Sequence, residues 1–214
     1  MHVLQPDLYV MNADGSGLAK VTQGGDPAWS PDGETLAFAA WHAGNLEIFT
    51  AKVDGSSVTR VTQRPGTNRW PAWSPDGSSI AFVSASLSSS MIHVMSADGS
   101  HIRQLTPPSL QAHSPTWSPD GKHIAFSGTG YDSFNLDIYI IASDGSDLQN
   151  ISDHPAVDFG PAWSPDGSRL AFTSDRDGNK ELYVIDLRSG VLRNLTNHPG
   201  DDFIESSQAW VEPH

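Results

Sequence analysis

The triplet Ser-Pro-Asp occurs four times in this chain, as Ser30-Pro31-Asp32, Ser74-Pro75-Asp76, Ser118-Pro119-Asp120 and Ser164-Pro165-Asp166. Nucleophilic hydrolysis would need such a serine on a G-x-S-x-G elbow between a strand and a helix, with histidine and acid partners. No such pentapeptide occurs, and no histidine keeps a fixed offset from the triplets. The nine histidines invite a metal hypothesis. His154 and His198, however, occupy equivalent places in Asp153-His154-Pro155 and Asn197-His198-Pro199, which points to shared packing. His93, His101, His113 and His123 lack the close spacing of a zinc motif. The run Ser174-Asp175-Arg176-Asp177-Gly178-Asn179 resembles a calcium loop, but its glycine falls at the fourth position and no late glutamate follows, so it reads as a turn. Phosphate-binding signatures are absent too. The sequence therefore assigns no catalytic residue, no metal ligand and no cofactor.

The serine–aspartate pairs belong to a larger repeat. PAWSPDG occurs at 27–33, 71–77 and 161–167, PTWSPDG at 115–121, and a decayed copy starts at Gln208-Ala209-Trp210. The tryptophans Trp29, Trp73, Trp117, Trp163 and Trp210 are separated by 44, 44, 46 and 47 residues, room for four short strands with their turns. Each complete motif precedes a short apolar run (Leu36–Phe38, Ile80–Phe82, Ile124–Phe126, Leu170–Phe172). A second run follows at Leu8–Met11, Ile48–Thr50, Ile92–Met95, Ile138–Ile140 and Leu182–Val184. Asp-Gly dipeptides at 14, 54, 98 and 144, and Ser189-Gly190, mark tight turns. A fourth strand is expected to end at Val21-Thr22, Val61-Thr62, Leu105-Thr106, Ile151-Ser152 and Leu195-Thr196. The pattern predicts an all-β chain, a β-propeller of about five four-stranded blades, with a six-bladed relative cut short as the alternative. Residues 1–214 read as one domain whose closing blade is shared between the two termini. The repeated Trp and Phe side chains are expected to pack between blades.

Composition narrows the function classes. Twelve basic and 25 acidic residues leave a formal charge of −13. Such a chain is repelled by nucleic acid and by anionic membranes, and it has no compensating Lys/Arg cluster. No apolar stretch approaches the ~20 residues of a spanning helix, so no membrane insertion is expected. The opening residues lack the pattern of an export signal. A chain without cysteine has no disulfides and no cysteine chemistry. A monomer is expected, or a dimer if ring closure is intermolecular.

W-S-P-D-G followed by I-A-F, then L-Y-V-M-x-A-D-G and a terminal L-T, resembles the TolB-type propeller repeat over nearly the whole chain. Looser forms occur in propellers attached to prolyl oligopeptidase-like peptidases and the tricorn protease. The resemblance implies a docking platform, for a peptidoglycan-associated lipoprotein, other Tol components or colicin segments, in the periplasm or outside the cell. Set against TolB, the chain is expected to have about five repeats rather than six and to lack the separate N-terminal α/β domain.

Strand alternation puts the W-S-P-D-G and Asp-Gly turns on one face, nearly identical from blade to blade, and the variable connections on the other. Trp41-His42 and Arg69-Trp70, which hold the two tryptophans outside the repeat register, are expected on the variable face as contacts for a protein or peptide partner. Tyr131 and Phe134 are weaker candidates. Five positions before each repeated tryptophan lie Gly24, Asn68, Ala112, Asp158 and Glu205. With Asp26, His113, Asp201 and Asp202 they are expected to form a polar, negative rim at the mouth of a central channel. Two rival functions remain open at this stage: the gating propeller of a serine peptidase, and a small-ligand or metal-dependent enzyme working at the channel mouth.

Overall fold

A computed structural model describes residues 5–130 and 135–204. Tyr131, Phe134, Glu205 and the decayed repeat at Gln208-Ala209-Trp210 lie outside the described residues. Every regular element is a strand: β1 Asp7–Val10, β2 Ala19–Gln23, β3 Gly25–Trp29, β4 Thr35–His42, β5 Asn45–Lys52, β6 Thr59–Arg60, β7 Thr67–Trp73, β8 Ser79–Ala85, β9 Ser90–Ser96, β10 Arg103–Gln104, β11 Leu110–Trp117, β12 His123–Gly130, β13 Asp137–Ala142, β14 Gln149–Asn150, β15 Asp158–Trp163, β16 Arg169–Ser174, β17 Glu181–Asp186 and β18 Leu192–Asn194. The chain divides into two compact units, residues 1–89 with 93–104, and residues 90–92 with 105–214.

In the first unit β1 and β2 form an antiparallel hairpin. Strands β3 to β6 and β7 to β10 form two meanders, joined where β7 runs parallel to β5 at Leu46↔Thr67. In the second unit β11–β12–β13–β14 and β15–β16–β17–β18 are separate four-stranded meanders. Four complete four-stranded repeats and one two-stranded hairpin are thus seen among the described residues.

The W-S-P-D-G turn closes on itself through its own side chains. In the fourth copy the Ser164 hydroxyl accepts from Arg169 N (2.9 Å) and donates to Asp166 Oδ1 (2.6 Å), which also accepts from Ser168 N (3.0 Å). The same relay runs through Ser118 and Asp120 in the third copy, and Ser30-Asp32 and Ser74-Asp76 repeat it. Gly33, Gly77, Gly121 and Gly167 take φ between +69° and +72°, which only glycine adopts without strain. The serines and aspartates that could have served hydrolysis are fully occupied in holding turns.

The apolar runs become the buried second strands. Phe38, Phe82, Phe126 and Phe172 are at most 1 % exposed. Each lies near-parallel to the ring on the next strand: Phe49, His93, Tyr139 and Tyr183, at 5.6 to 6.2 Å between centroids. Packing between sheets follows the expected plan inside each unit. Val61, beyond β6, joins Ile80, Phe82 and Met95 of the following sheet, and Trp163 joins Ala125, Ile138 and Ile140 of the preceding one. Trp163 Nε1 also donates to Thr116 O at 3.2 Å. Trp29 departs from the expectation, being 42 % exposed.

The fourth strands of the complete repeats are shorter than the sequence predicts and stop before Val61-Thr62, Leu105-Thr106, Ile151-Ser152 and Leu195-Thr196. The physical reason is a side chain that replaces the ladder. Val61 N and Thr62 N both donate to Ile48 O, while Ile48 N donates to the Thr62 hydroxyl at 2.8 Å. Thr106, Ser152 and Thr196 accept in the same way from Ile92, Ile138 and Leu182.

Two predictions follow from the turns. Gly15 and Gly99 are repeat-equivalent, with φ of +83° and +86°, but a Cβ on Gly15 meets nothing within 4 Å, whereas one on Gly99 would lie 2.3 Å from Val61 O. Gly15→Ala should cost about 1 kcal/mol for the backbone alone, and Gly99→Ala clearly more, read as the difference in urea midpoints. Separately, the hydrogen bond from Ser164, then those from Ser168, hold the Asp166 carboxyl down at about 2 from an ordinary 3.8. Asp32, Asp76 and Asp120 are lowered as well, first by Ser30, Ser74 and Ser118. Carboxyls depressed in the folded state stabilise it above their unfolded value, and that contribution drains as pH falls from 3.8 towards 2. Carboxyl NMR titration should place Asp166 near 2, and Ser164→Ala should return it towards 3.8.

Candidate functional site

Each of the four described first strands carries a bulge at the residue preceding the motif proline. The register slips between Gly25 and Ala28, Arg69 and Ala72, His113 and Thr116, and Phe159 and Ala162. The residue at the slip takes a left-handed backbone: Asp26 (φ +51°), Trp70 (+51°), Ser114 (+49°) and Gly160 (+68°). Aspartate, serine and glycine tolerate that region, but a bulky tryptophan rarely adopts it. Bulges re-aim side chains and free backbone groups from the ladder. Here the freed Trp70 N–H donates to Asp26 Oδ2 of the preceding sheet at 3.4 Å.

Arg69 and Trp70 therefore lie inside β7, not in the connection between repeats where the sequence had put them. The bulge is why: it shifts the register between Arg69 and Ala72 in a strand that still pairs with β8 on either side, and both residues stay half-buried. The Arg69 guanidinium sits 3.7 Å from the Trp70 ring centroid. Its Nε faces Asp26 Oδ2 at 3.5 Å, an ion pair too long for a good hydrogen bond, and the two side chains are 37 % and 25 % exposed. Three buried side-chain polar atoms lack a hydrogen-bond partner among the described residues, Asn68 Oδ1, Arg69 Nε and Trp73 Nε1, and all three are on β7.

Trp41 and His42 end β4 at the two-residue Ala43-Gly44 turn, as a variable connection requires. Gln5 fixes the backbone there: its Oε1 accepts from Trp41 N at 2.9 Å. The Trp41 residue remains 42 % exposed, and the His42 ring meets Phe49 edge-on at 6.2 Å.

The expected solvated rim is a correction. Asn68, Ala112 and Asp158 are 0 % exposed, and a Cβ on Gly24 would lie 2.5 Å from Phe38. This position is where the first strand packs most tightly, so its polar members must be paired. Asn68 Nδ2 donates to Leu46 O and to Glu47 Oε2 (3.3 and 3.1 Å). Asp158 accepts two bonds of 3.1 Å from Arg176 Nη2. Asp26 and His113 are half-buried at the bulges, and Asp201 accepts from Lys180 N at 3.0 Å.

Arg176 comes from the Ser174–Asn179 segment, which is a turn as expected, closed by Gly178 N to Asp175 O at 3.0 Å. Its guanidinium, 12 % exposed, stands 4.8 Å from the Tyr183 ring centroid and 5.6 Å from that of Phe172. The Tyr183 hydroxyl donates to Asp177. Burial, and then that bond, push the phenol up to about 12.

A recurring buried acid also escaped the sequence reading. Glu47, Asp137 and Glu181 immediately precede Ile48, Ile138 and Leu182 of their third strands, and each accepts from the hydroxyl fifteen residues later, on Thr62, Ser152 and Thr196. Each also accepts a backbone N–H, from Arg64, His154 or His198. The acid–hydroxyl spacing was visible, but nothing in it distinguished a buried clamp from a solvated pair. The repeat-equivalent histidines are turn elements, His154 Nδ1 accepting from Ala156 N and His198 Nδ1 from Gly200 N. Among the described residues, no three histidines or carboxylates form a group that could hold a metal ion.

A cleft of about 500 Å3 on β16 to β18 is lined by Arg169, Val184, Val191, Arg193 and Leu195. Leu195 is 55 % exposed, whereas its equivalents Val21, Val61 and Leu105 are at most 7 % exposed. The cleft is a sheet face rather than a chemical constellation. The buried ion pair gives the sharper test: Arg176→Met leaves Asp158 charged and alone and should destabilise the chain by about 3–5 kcal/mol in chemical denaturation. Asp158→Asn in that background should recover part of the loss.

Comparison with known proteins agrees with this architecture. The family model described as the TolB beta propeller domain matches residues 22–127 and again 109–210. A TolB-like protein from Agrobacterium tumefaciens superposes with a TM-score of 0.77 at 24 % identity, over 88 % of this chain and 73 % of that one. TolB from Acinetobacter baumannii gives 0.72 at 22 % identity, over 88 % of this chain and 48 % of its own. A puromycin-hydrolyzing peptidase of Mycobacterium tuberculosis gives 0.71 at 17 % identity, over 90 % of this chain and 35 % of that protein. An uncharacterized protein of Agrobacterium fabrum is 37 % identical over 60 residues, 26 % of this chain and 20 % of that protein's length. With the family model covering residues 22 to 210 and the strand order to match, this all-β chain belongs to the TolB β-propeller family.

Proposed function

We propose that this chain is a noncatalytic scaffold that binds a protein or peptide partner, with Trp41, His42, Arg69 and Trp70 as its contacts. The observation that carries the proposal is the Arg69–Trp70 pair on its bulge. A tryptophan is held at φ +51°, its ring against a guanidinium that stays 37 % exposed. Strained backbone that the surroundings enforce is concentrated at functional positions, and Trp and Arg are the side chains most enriched among binding hot spots. The family's structural relatives include TolB proteins, which supports a protein partner in general terms.

A second reading has its own support. The chain superposes on about a third of several peptidases, including a puromycin hydrolase at 15 % identity. Under it the chain would act as the propeller of a serine peptidase whose hydrolase is a separate part of the protein.

The purified chain used as bait, beside Trp41→Ala/Trp70→Ala, separates these. Each hot-spot side chain is worth about 2 kcal/mol or more, so the double variant should bind at least roughly thirtyfold more weakly with an unchanged far-UV spectrum. Equal capture by both proteins would reject these contacts. Capture of a hydrolase as the specific partner would favour the second reading.

A further inference from the structure

The fold explains the bulge, but not the residues at β7's copy of it. The equivalent pairs on the other first strands are Gly25-Asp26, His113-Ser114 and Phe159-Gly160. A side chain the repeat needs recurs with the repeat, as the four phenylalanines do. Arg69-Trp70 occurs once, and its tryptophan occupies a backbone conformation that small or polar residues would fill with less strain.

What the pair holds in place is a guanidinium fork. The guanidinium lies over the Trp70 ring, 3.7 Å from its centroid, and Asp26 Oδ2 faces Nε at 3.5 Å. Nη1 and Nη2 carry four of the five donors of an arginine, and among the described residues nothing accepts from them. An arginine ordinarily loses conformational freedom when it binds, but here that freedom is already restricted, so less is lost on association. A planar pair of donors matches the two oxygens of a carboxylate, with two parallel charge-assisted bonds. Asp26 and a net charge of −13 weigh against a dianionic phosphate, which would meet more repulsion than a single negative charge.

We propose that Arg69, held between the Trp70 indole and the Asp26 carboxylate, is a carboxylate clamp that receives an acidic side chain or a C-terminal carboxylate of a bound peptide. The proposal rests on the partner-binding reading above and adds to it the chemistry of the group recognised.

The test uses the 15N-labelled full chain and the resonances of Arg69 Nε–H and Trp70 Nε1–H. It is titrated with acetyl-Gly-Asp-amide, acetyl-Gly-Asn-amide, acetyl-Gly-Gly with a free C-terminus, and inorganic phosphate. Saturable shifts are expected from the Asp peptide or the free C-terminus, and the tighter of the two identifies the source of the carboxylate. The Asn peptide should produce none. Arg69→Gln should weaken binding roughly tenfold or more, and Arg69→Lys, which keeps the charge but not the fork, should fall between. Shifts that are the same for Asp and Asn peptides, full binding by Arg69→Gln, or phosphate bound more tightly than either carboxylate would each overturn the clamp. The two proposals fail separately. A partner retained by Arg69→Gln but lost by Trp41→Ala/Trp70→Ala keeps the docking role and removes the clamp. Carboxylate binding without any difference in capture keeps the clamp and removes the docking role.

Discussion

A four-stranded sheet whose outer strand pairs over two or three residues has no interior of its own. Its second strand is apolar on both faces, with Leu36-Ala37-Phe38 and its three equivalents almost wholly buried, so each sheet needs another to cover it. Within each unit the covering residues are the same: the tryptophan of one sheet, and the apolar residue just past the fourth strand of the sheet before it. Fully burying a large apolar side chain contributes about 1.5–3 kcal/mol, so losing even one of these repeated phenylalanines removes a sizeable fraction of the small net stability of a domain. The turns, clamps and bulges follow from keeping such thin sheets in register.

Polar residues meet that requirement in two ways. Serine and aspartate in the W-S-P-D-G turn satisfy backbone N–H groups that a hairpin would leave open, and so settle where β4, β8, β12 and β16 begin. The buried acids Glu47, Asp137 and Glu181 with their hydroxyl partners fix where the outer edge stops pairing. Asp158 with Arg176 repeats the logic with full charges, a pairing that is costly to break because neither ion can return to water. These polar groups are framework, and they account for most of the residues whose types suggested chemistry.

Against that framework the Asp26–Arg69–Trp70 group stands out through its lack of repetition. It uses a structural bulge shared by the four described first strands, fills it with a residue ill suited to the conformation, and leaves the arginine side chain 37 % exposed beside a single carboxylate. In a repeat fold the repeat supplies the rigid positions, and residues that break it are where specificity can be added.

Much of the fold was legible in the amino-acid sequence because its signals are local. A tryptophan every 44 to 47 residues, apolar runs of strand length and Asp-Gly turns each act within a few residues, so the all-strand character, the order of strands within a repeat and the turn positions could be read directly. The exposed end of β4 at Trp41-His42 was legible for the same reason. Burial at Asn68 and Asp158, the early end of the fourth strands and the placement of Arg69-Trp70 inside β7 were not legible. Each depends on a partner far along the chain: Glu47 for Asn68, Arg176 for Asp158, Ile48 for Thr62 and Asp26 for Trp70. Periodicity tells a residue which side of a strand it occupies. Only the packing of one sheet against another decides whether that side faces water, a buried acid or the open end of an arginine.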